Sequence, residues 1–406
     1  MDVSETRNWL RLALTPGVVP CVSGTLVDYY GSPDVVLGMS KQELREVPGL
    51  RPKVIDALLE TADGKREAAV NSESELLQSK GVSLLAYDDS RFPPLLKQIP
   101  DPPGLLFFRG ELGVDVRSTF AVVGTRRCDA YGLSVTRDFV GALARSGLTI
   151  VSGLALGIDG AAHKAALSQG AATWAFLPCG FGQIYPPEHA DLAEQITENG
   201  ALLSEFTMST PPLRSYFHPR NRLISGSSLG ILVVQAAAKS GAMISARFGN
   251  EYNRDVFAVP GRANESNSEG PHRLIQDGAK LVHSPEDILE ELGHRLKLMP
   301  VSANSDHSGS KPIKRSPRKK ESTTGDPLPS AKAPDTADKG RKPDEREEVT
   351  DPLDKKIVLR LEHGPVHIDR LCGDLDIPVR KLSERLLILE MKGIVQRKPG
   401  MSFDLA

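Results

Sequence analysis

The residues of this sequence best suited to chemistry are arginines near short apolar runs, and the chemistry they suit is anion binding. Arg126 follows the run Phe120–Val123, with only Gly124 and Thr125 between them. A small-residue loop offers backbone N–H groups, and a guanidinium adds a forked donor, so the combination is typical of a phosphate site. We therefore expect this loop to bind a phosphate.

A second group of arginines stands in the run FHPRNRLISG, where the pattern predicts that a helix begins near Arg220. With Arg220, Asn221 and Arg222 at a helix N-terminus, the helix dipole would add to the guanidinium donors. Phe217 precedes the group, and an aromatic ring beside a basic groove is typical of proteins that stack single-stranded bases. The alternative is that Phe217 is a core or lid aromatic.

The carboxylates predicted near these arginines allow other interpretations. Asp159 or Glu205 would form a salt bridge with Arg126 if that arginine served structure instead of binding. Asp159 and His163 are one helical turn apart, as in an acid/base or metal-binding pair. We favour the simpler interpretation, in which Asp159 caps a helix and His163 belongs to its polar face.

Several familiar kinds of site are excluded by missing motifs. The pattern GxxxxGK[ST] does not occur, the first loop reads GTRRCDAYG rather than GxGxxG, and Val151-Ser152-Gly153 lacks an acidic residue for a ribose hydroxyl. The four cysteines are widely spaced, without the close pairs that bind zinc. The sequence therefore predicts no cofactor, no metal and no catalytic residue.

The elements that must position the arginine loops alternate regularly from Phe120 onward. Strand candidates cover 120–123, 148–151, 173–177, 201–204, 230–234, 255–259 and 280–282. Helical stretches lie between and after them, at 131–146, 159–169, 188–198, 220–226, 241–252, 271–277 and 285–292. This alternation predicts an α/β fold, an extended Rossmann-like doubly wound parallel sheet whose small, polar loops open at one edge.

The segments on either side of this sheet differ in composition. Residues 1–75 are predicted to form a small helical module of the SAM or helix-hairpin-helix kind, and the sheet domain takes 82–295. Residues 300–350 have almost no large apolar side chain and are predicted to be a disordered linker. Residues 351–406 have the pattern of a winged helix, for which DNA binding and protein binding both stay open.

Length and composition set the scale of the molecule. The chain has 406 residues, 40% of them hydrophobic, which suffices for a large core and two or three domains. A formal net charge of −2 argues against a surface coated by nucleic acid but allows a local basic groove. No apolar run reaches membrane-spanning length, so we expect a soluble cytoplasmic protein without membrane contact.

The last predicted strand suggests self-association. Residues 274–282 (LIQDGAKLV) read as a helix end, a glycine and an edge strand. An exposed edge carrying Leu281 and Val282 is normally covered, and a second copy would cover it in a twofold dimer. The alternative is that both side chains are ordinary inward residues of the sheet.

Eight motifs in order resemble the DNA-processing protein A family, also called DprA or Smf, over about residues 83–292. They are VVGTR (122–126), SGLALGID (152–159), YPPEH (185–189), SEF (204–206), RNRLISG (220–226), SGAMISA (240–246), VFAVPG (256–261) and LIQDGAKLV (274–282). The resemblance implies a non-catalytic, dimeric single-stranded DNA-binding protein that protects incoming strands in natural transformation and loads the RecA recombinase onto them.

The resemblance also implies which residues form the sites. The DNA-binding residues would be Gly124, Thr125, Arg126, Ser152, Gly153, Arg220, Asn221 and Arg222, to which the aromatic pattern described above adds Phe217. The dimer interface would include His272, Leu274, Ile275, Leu281 and Val282. Two other classes remain as alternatives: a nucleotide phosphoribohydrolase, whose PGGxGTxxE stretch is missing here, and a transcription regulator that acts through the winged helix.

Overall fold

The computed structural model describes residues 3–297 except 48, 114 and 115, together with separate stretches between 352 and 405. The chain divides into two compact units, Met1–His307 and Ser308–Ala406. Within the described residues, no helix has the length and apolar character needed to cross a membrane.

The described part of the first unit begins with six helices. They are α1 (Val3–Ala13), α2 (Pro20–Tyr30), α3 (Pro33–Gly38), α4 (Lys41–Glu46), α5 (Pro52–Ala62) and α6 (Glu67–Lys80). Turns at Gly17, Gly31 and Gly49, all with positive φ, separate several of them, because glycine adopts this conformation without strain. Trp9, Leu58 and other side chains of these helices share one buried cluster with Leu84 and Phe107 of the sheet, so the helices pack onto one side of it.

Nine of the described strands form a single mixed sheet in the order β1-β2-β6-β5-β4-β3-β7-β8-β9. The strands are β1 (Ser83–Ala86), β2 (Leu105–Gly110), β3 (Thr119–Val123), β4 (Thr149–Ser152), β5 (Thr173–Phe176), β6 (Gly200–Ser204), β7 (Gly230–Val233), β8 (Asp255–Ala258) and β9 (Lys280–Leu281). Strands β3 to β9 are mutually parallel, whereas β1 and β2 pair antiparallel at one edge. The predicted doubly wound α/β sheet is confirmed.

Seven described helices connect or follow the parallel strands. They are α7 (Ala130–Arg145), α8 (Ile158–Ser168), α9 (Ala190–Glu198), α10 (Arg214–Gly226), α11 (Gly241–Glu251), α12 (Glu269–Gln276) and α13 (Pro285–Lys297). Strand side chains alternate between the two faces of the sheet, as a period of two requires. Phe120 and Val122 pack in one cluster with Phe139 of α7, and Ala121 and Val123 in another with residues of α10 and α11.

The order of the strands creates a switch point. From β3 the chain moves outward through β4, β5 and β6, and then returns along α10 to β7 on the other side of β3. Strands β3 and β7 are therefore neighbours whose following loops diverge to opposite sides of the sheet, which leaves a crevice between them.

The start of α10 corrects a sequence-based prediction. The helix begins at Arg214, so Arg220 and Arg222 lie in its interior and not at its N-terminus. Pro219 misled the prediction, because proline usually marks the beginning of a helix. Here Pro219 lies inside the helix, where its ring nitrogen donates no hydrogen bond to the preceding turn.

The described stretches of the second unit agree with the predicted winged helix. Helix α14 (Pro352–Leu361) is present, and strands β11 (Val395–Lys398) and β12 (Ser402–Leu405) pair antiparallel. A third strand, β10 (Val366–His367), pairs with β12 and was not predicted as a strand. The predicted linker at 300–350 lies outside the described residues, and the predicted domain boundaries stay predictions.

The first unit should fold without the second. A chain that ends at Lys297 keeps α13, whose Ile288 and Leu292 are fully buried against the sheet, and it should unfold in one cooperative thermal transition. A chain that ends at Ala258 is the control and should lose that cooperativity, because β9 and α13 are removed. A gradual, non-cooperative melt of the longer chain would contradict the prediction.

Candidate functional site

A cavity of about 330 Å³ opens at the carboxyl ends of β3 and β7, at the switch point of the sheet. Ligands of open α/β sheets bind at this place. The loop after β3, the start of α8, the middle of α10 and the first turn of α11 line it. Its lining includes Gly124, Thr125, Arg126, Arg127, Ala155, Asp159, Phe217, Arg220, Asn221, Ile224, Ser240, Gly241, Ala242 and Ser245. We call it the switch-point cavity.

The loops after β3 and β4 lie against each other, which brings Gly124 and Thr125 to the cavity wall. Gly157 has φ +80°, and a Cβ there would lie 2.3 Å from the Thr125 carbonyl oxygen. The Ile158 N–H donates to that oxygen at 3.2 Å. Gly124 is confined in the same way, because a Cβ would lie 2.5 Å from the Ile158 side chain. Glycine at both positions therefore permits the close approach of the loops.

Arg126 is exposed, and its guanidinium carbon lies 5.2 Å from the centre of the Phe217 ring. Within the described part of the chain, Arg126 forms no ion pair, and the predicted alternatives Asp159 and Glu205 have other partners. A cation over an aromatic face is attracted to it without losing its capacity to donate hydrogen bonds. The guanidinium of Arg126 is therefore available to an anion in the switch-point cavity.

Arg220 reaches the cavity from α10 but is 4% exposed. Its Nη1 donates to the carbonyl oxygens of Gly153 at 2.5 Å and Phe176 at 2.7 Å, which lie at the ends of β4 and β5. Burial lowers the pKa of Arg220 to about 10, with the charge of Arg126 adding to the effect and Asp159 opposing it. A pKa in that range leaves the guanidinium protonated at neutral pH, so the cavity has a fixed buried cation.

Ser152 and Gly153 support the cavity and do not line it. The Ser152 hydroxyl is buried and donates to the Val122 carbonyl at 2.6 Å. A Cβ on Gly153 would lie 2.2 Å from Nη1 of Arg220, so the absence of a side chain there makes room for the guanidinium. Their predicted role in DNA binding stays a prediction, and in the structure they contact Val122, Asp159 and Arg220.

Asn221 and Arg222 have different surroundings although they are adjacent. Asn221 lines the cavity, and its Nδ2 donates to the Gly241 carbonyl at 3.1 Å. Arg222 does not line it: this buried arginine pairs with Glu205 at 2.5 Å and with Asp101 at 3.2 Å. The expectation that Arg222 lines an anion site was wrong in placement, because two carboxylates occupy its guanidinium on the other side of α10.

The N-terminus of α11 faces the cavity and was not recognised in the sequence. Ser240, Gly241 and Ala242 line the cavity, and the Ser240 hydroxyl has no hydrogen-bond partner within the described chain. Free N–H groups and the positive end of the dipole of this 11-residue helix attract an anion. The small-residue loop QAAAKSG after β7 was the available signal.

Asp159 and His163 have separate partners, and the expectation that Asp159 caps the helix and His163 lies on its polar face was wrong. Asp159 is the second residue of α8, after the N-cap Gly157, and its carboxylate accepts the Gly153 N–H at 3.1 Å. Burial raises the pKa of Asp159, while the charge of Arg220 and backbone N–H groups oppose that shift. His163 is in the core, its Nδ1 contacts the Thr173 hydroxyl at 2.8 Å, and burial lowers its pKa to about 3.

Phe217 lines both the switch-point cavity and a smaller cleft beside it, and Arg126 lines both as well. Its ring centre lies 5.7 Å from the Arg220 guanidinium carbon and 5.7 Å from the centre of the Tyr185 ring, which meets it edge to face. The adjoining cleft of about 40 Å³ is lined by Leu156, Tyr185 and Phe217 among others. An apolar, aromatic surface therefore lies beside the cationic one.

The residues predicted at the dimer interface lie in different surroundings. Leu281 is 46% exposed on the edge strand β9, whereas Val282 is fully buried. Leu274 is also buried, Ile275 and His272 are half-buried, and His272 Nε2 contacts the backbone of Gly261. Inward packing therefore describes Val282 and Leu274, and Leu281 is the exposed residue of the predicted interface.

Comparison with known proteins gives consistent matches over both units. Residues 83–293 match the family model of DNA recombination-mediator protein A, and residues 341–401 match that of the DprA winged helix domain. Protein Smf of Synechocystis is 33% identical over 411 residues, with 100% of each chain covered. DNA processing protein DprA of Bacillus subtilis is 39% identical over 247 residues, covering 58% of this chain and 83% of that protein.

A solved structure agrees with these matches. The X-ray structure of DNA processing protein A from Streptococcus pneumoniae is 32% identical in sequence to this chain and superposes with a TM-score of 0.62. The match covers 72% of this chain and 99% of that one.

Replacing Arg222 should damage stability and leave the cavity chemistry intact. Arg222→Met leaves Glu205 buried without its partner and should lower the free energy of unfolding by about 3–5 kcal/mol in a denaturant titration. Burial raises the pKa of Glu205, and the charge of Arg222 opposes that shift. In the double variant Arg222→Met/Glu205→Gln a neutral glutamine replaces the unpaired carboxylate, so much of the lost stability should be restored. An Arg222→Met protein of wild-type stability would contradict this account.

Proposed function

The chain belongs to the DNA recombination-mediator protein A family, and from that premise we propose that the switch-point cavity binds the phosphate backbone of single-stranded DNA. The observation that supports this most strongly is the convergence of Arg126, Arg220 and the N-terminus of α11 on one cavity. Each of the three attracts anions by a different means: an exposed guanidinium, a buried one, and free backbone N–H groups.

The charges around the cavity support an anionic ligand. Among the described lining residues, Arg126, Arg127 and Arg220 are accompanied by a single carboxylate, that of Asp159. This carboxylate is buried and accepts the Gly153 N–H, so it offsets part of the charge of Arg220 and leaves the other two arginines uncompensated. A phosphodiester carries the single negative charge that such a site favours.

The size and form of the cavity support a single strand over a duplex. A cavity of about 330 Å³ accepts a phosphate with its sugar, and it is recessed between loops and helices. A flexible strand bends into such a recess, whereas a duplex presents its phosphates on a rigid rod. Phe217 and the aromatic cleft beside it add an apolar surface on which a base can stack irrespective of sequence.

The same contacts support binding without catalysis. A nucleotide phosphoribohydrolase, the competing enzyme class, needs a carboxylate free to reach the ribose. Among the described lining residues, Asp159 is the acidic one, and its oxygen is engaged by the Gly153 N–H. His163, the nearby histidine in the sequence, is internal and neutral at neutral pH.

In the cell we propose protection of incoming or processed single strands, followed by loading of the RecA recombinase, in natural transformation and DNA recombination. This part rests on family membership. The binding of fragment 351–406 to duplex DNA distinguishes this proposal from a transcription regulator. A regulator requires that binding, and this proposal does not.

A second copy of the chain is the proposed partner at β9. This strand is the last of the sheet, and Leu281 is 46% exposed on it. An uncovered strand edge offers unpaired backbone groups to another copy, and a twofold dimer satisfies both edges at once. Two cavities on one particle would bind a long strand with avidity.

Arg126→Ala should weaken binding to single-stranded oligonucleotides by about 1–3 kcal/mol, because a charge-assisted phosphate contact is lost. The loss should be equal for different base sequences, since phosphate contacts carry no base information. Arg145→Ala is the control, because Arg145 lies at the far end of α7 and contacts Gln169. Equal affinity of Arg126→Ala and wild type in fluorescence anisotropy at low salt would contradict the proposal.

Leu281→Arg should convert the dimer to a folded monomer, as measured by light scattering with circular dichroism. Binding to short oligonucleotides should persist, and binding to long ones should weaken. Val35→Arg provides a matched control, since Val35 is 49% exposed on α3, in the helical module that packs against β1 and β2 and not against β9. A wild-type protein that is monomeric at micromolar concentration would refute the dimer.

A further inference from the structure

Gln235 lies two residues beyond the end of β7. It is a buried polar residue that is not among the lining residues of the switch-point cavity. It is 2% exposed, and three hydrogen bonds join it to the loop that carries Arg126. Its backbone carbonyl accepts the Thr125 N–H at 2.7 Å. Its side chain pairs with Asp129 in both directions: Oε1 accepts the Asp129 N–H at 3.3 Å, and Nε2 donates to the Asp129 carboxylate at 3.0 Å.

We propose that Gln235 is a positioning residue for single-stranded DNA binding, which holds the loop 124–129 at both ends so that Arg126 faces the switch-point cavity. The proposal rests on the function proposed above. Thr125 and Asp129 bracket Arg126 in the chain, so the loop has little freedom when both are bonded. Asn267 adds a third support, since its Nδ2 donates to the Arg127 carbonyl at 3.0 Å.

The fit around Gln235 shows that this arrangement is specific. A Cβ on Gly132 would lie 2.2 Å from Oε1 of Gln235, and one on Gly124 would lie 2.9 Å from its backbone oxygen. Glycine at both places leaves room for the glutamine and no more. Asp129 is itself the N-cap of α7, where its carboxylate also accepts the Gly132 N–H at 2.9 Å. The loop is thus joined to the start of α7 and the end of β7 by one side-chain pair.

The chemistry of the pair requires an amide at position 235. Asp129 presents one donor, its backbone N–H, and one acceptor, its carboxylate. A glutamine side chain matches both with one acceptor and one donor. A glutamate would match the donor but place a second carboxylate against the first, and a methionine would match neither.

The consequence for binding is pre-organisation. Arg126 has no ion pair to fix it within the described residues, and its side chain contacts the face of Phe217. The direction of its side chain therefore depends on the backbone of its loop. If the loop loosened, binding would have to order it, and the affinity for phosphate would fall by that cost.

The test compares full-length variants by their affinity for a short oligothymidylate. Gln235→Met removes the side-chain bonds without adding charge, and Gln235→Glu opposes Asp129 with a like charge. The double variant Asp129→Asn/Gln235→Glu exchanges the amide and the carboxylate, so the net charge stays constant. The asparagine amide then donates to the glutamate carboxylate. Gln169→Met is the matched control, since Gln169 contacts Arg145 away from the cavity.

We expect Gln235→Met and Gln235→Glu to weaken binding by about fivefold to tenfold. The exchanged pair and the Gln169→Met control should bind as wild type does. In an Arg126→Ala background, Gln235→Met should cost nothing further, because the amide acts through that arginine. If the glutamine were merely structural, the losses of affinity from Arg126→Ala and Gln235→Met would add, and that result would overturn the proposal.

A measurement without DNA separates this proposal from the proposed function. The Asp129 amide should exchange hydrogen faster in Gln235→Met than in wild type, because its side-chain acceptor is lost, with the thermal midpoint of the first unit nearly unchanged. The Thr125 N–H keeps the backbone carbonyl of residue 235 as its acceptor and serves as an internal reference. If wild type fails to bind the oligothymidylate, the proposed function is wrong, and an unchanged exchange rate at Asp129 would refute the positioning role by itself. Folded Gln235→Met that binds like wild type would also refute it.

Discussion

The buried guanidinium of Arg220 is the interaction on which the geometry of the site depends. A buried charge is stable only when it is paired or fully hydrogen-bonded, and here two carbonyl oxygens and the charge of Asp159 satisfy that need. The carbonyls belong to Gly153 and Phe176, at or just beyond the ends of β4 and β5. One side chain on α10 therefore joins the crossover helix to two strand ends and fixes the floor of the switch-point cavity.

The positions of the other groups in the site depend on this placement of Arg220. Gly153 must lack a side chain because the guanidinium occupies its space, and Asp159 must lie close by to balance the charge. Asn221, next to Arg220, holds the first residue of α11 in place. With these groups fixed, Arg126 and the N-terminus of α11 both reach the cavity. The site is thus a cationic recess whose components are positioned by hydrogen bonds to backbone atoms.

The sequence predicted the parallel strands within one or two residues, because buried strands read as short apolar runs between small-residue loops. It predicted that Gly124, Thr125 and Arg126 directly follow a strand, and the structure has them there. It failed within α10. Residues two apart on a helix point to different sides, so Arg220 and Arg222 cannot both face one cavity. Both lie in the interior of the helix because it begins at Arg214, six residues before Arg220. The sequence-based prediction also missed the N-terminus of α11, whose position at the cavity depends on the packing of loops that are far apart in sequence.

The central claim is that a single strand enters the switch-point cavity. The most direct measurement is photocrosslinking of the full-length protein to an oligonucleotide that contains thiothymidine, with the attachment sites mapped by mass spectrometry. The account predicts crosslinks at Phe217 and in the loop 124–127, and their loss when unlabelled single strands compete. Crosslinks confined to residues 351–406, with none at the cavity, would contradict it.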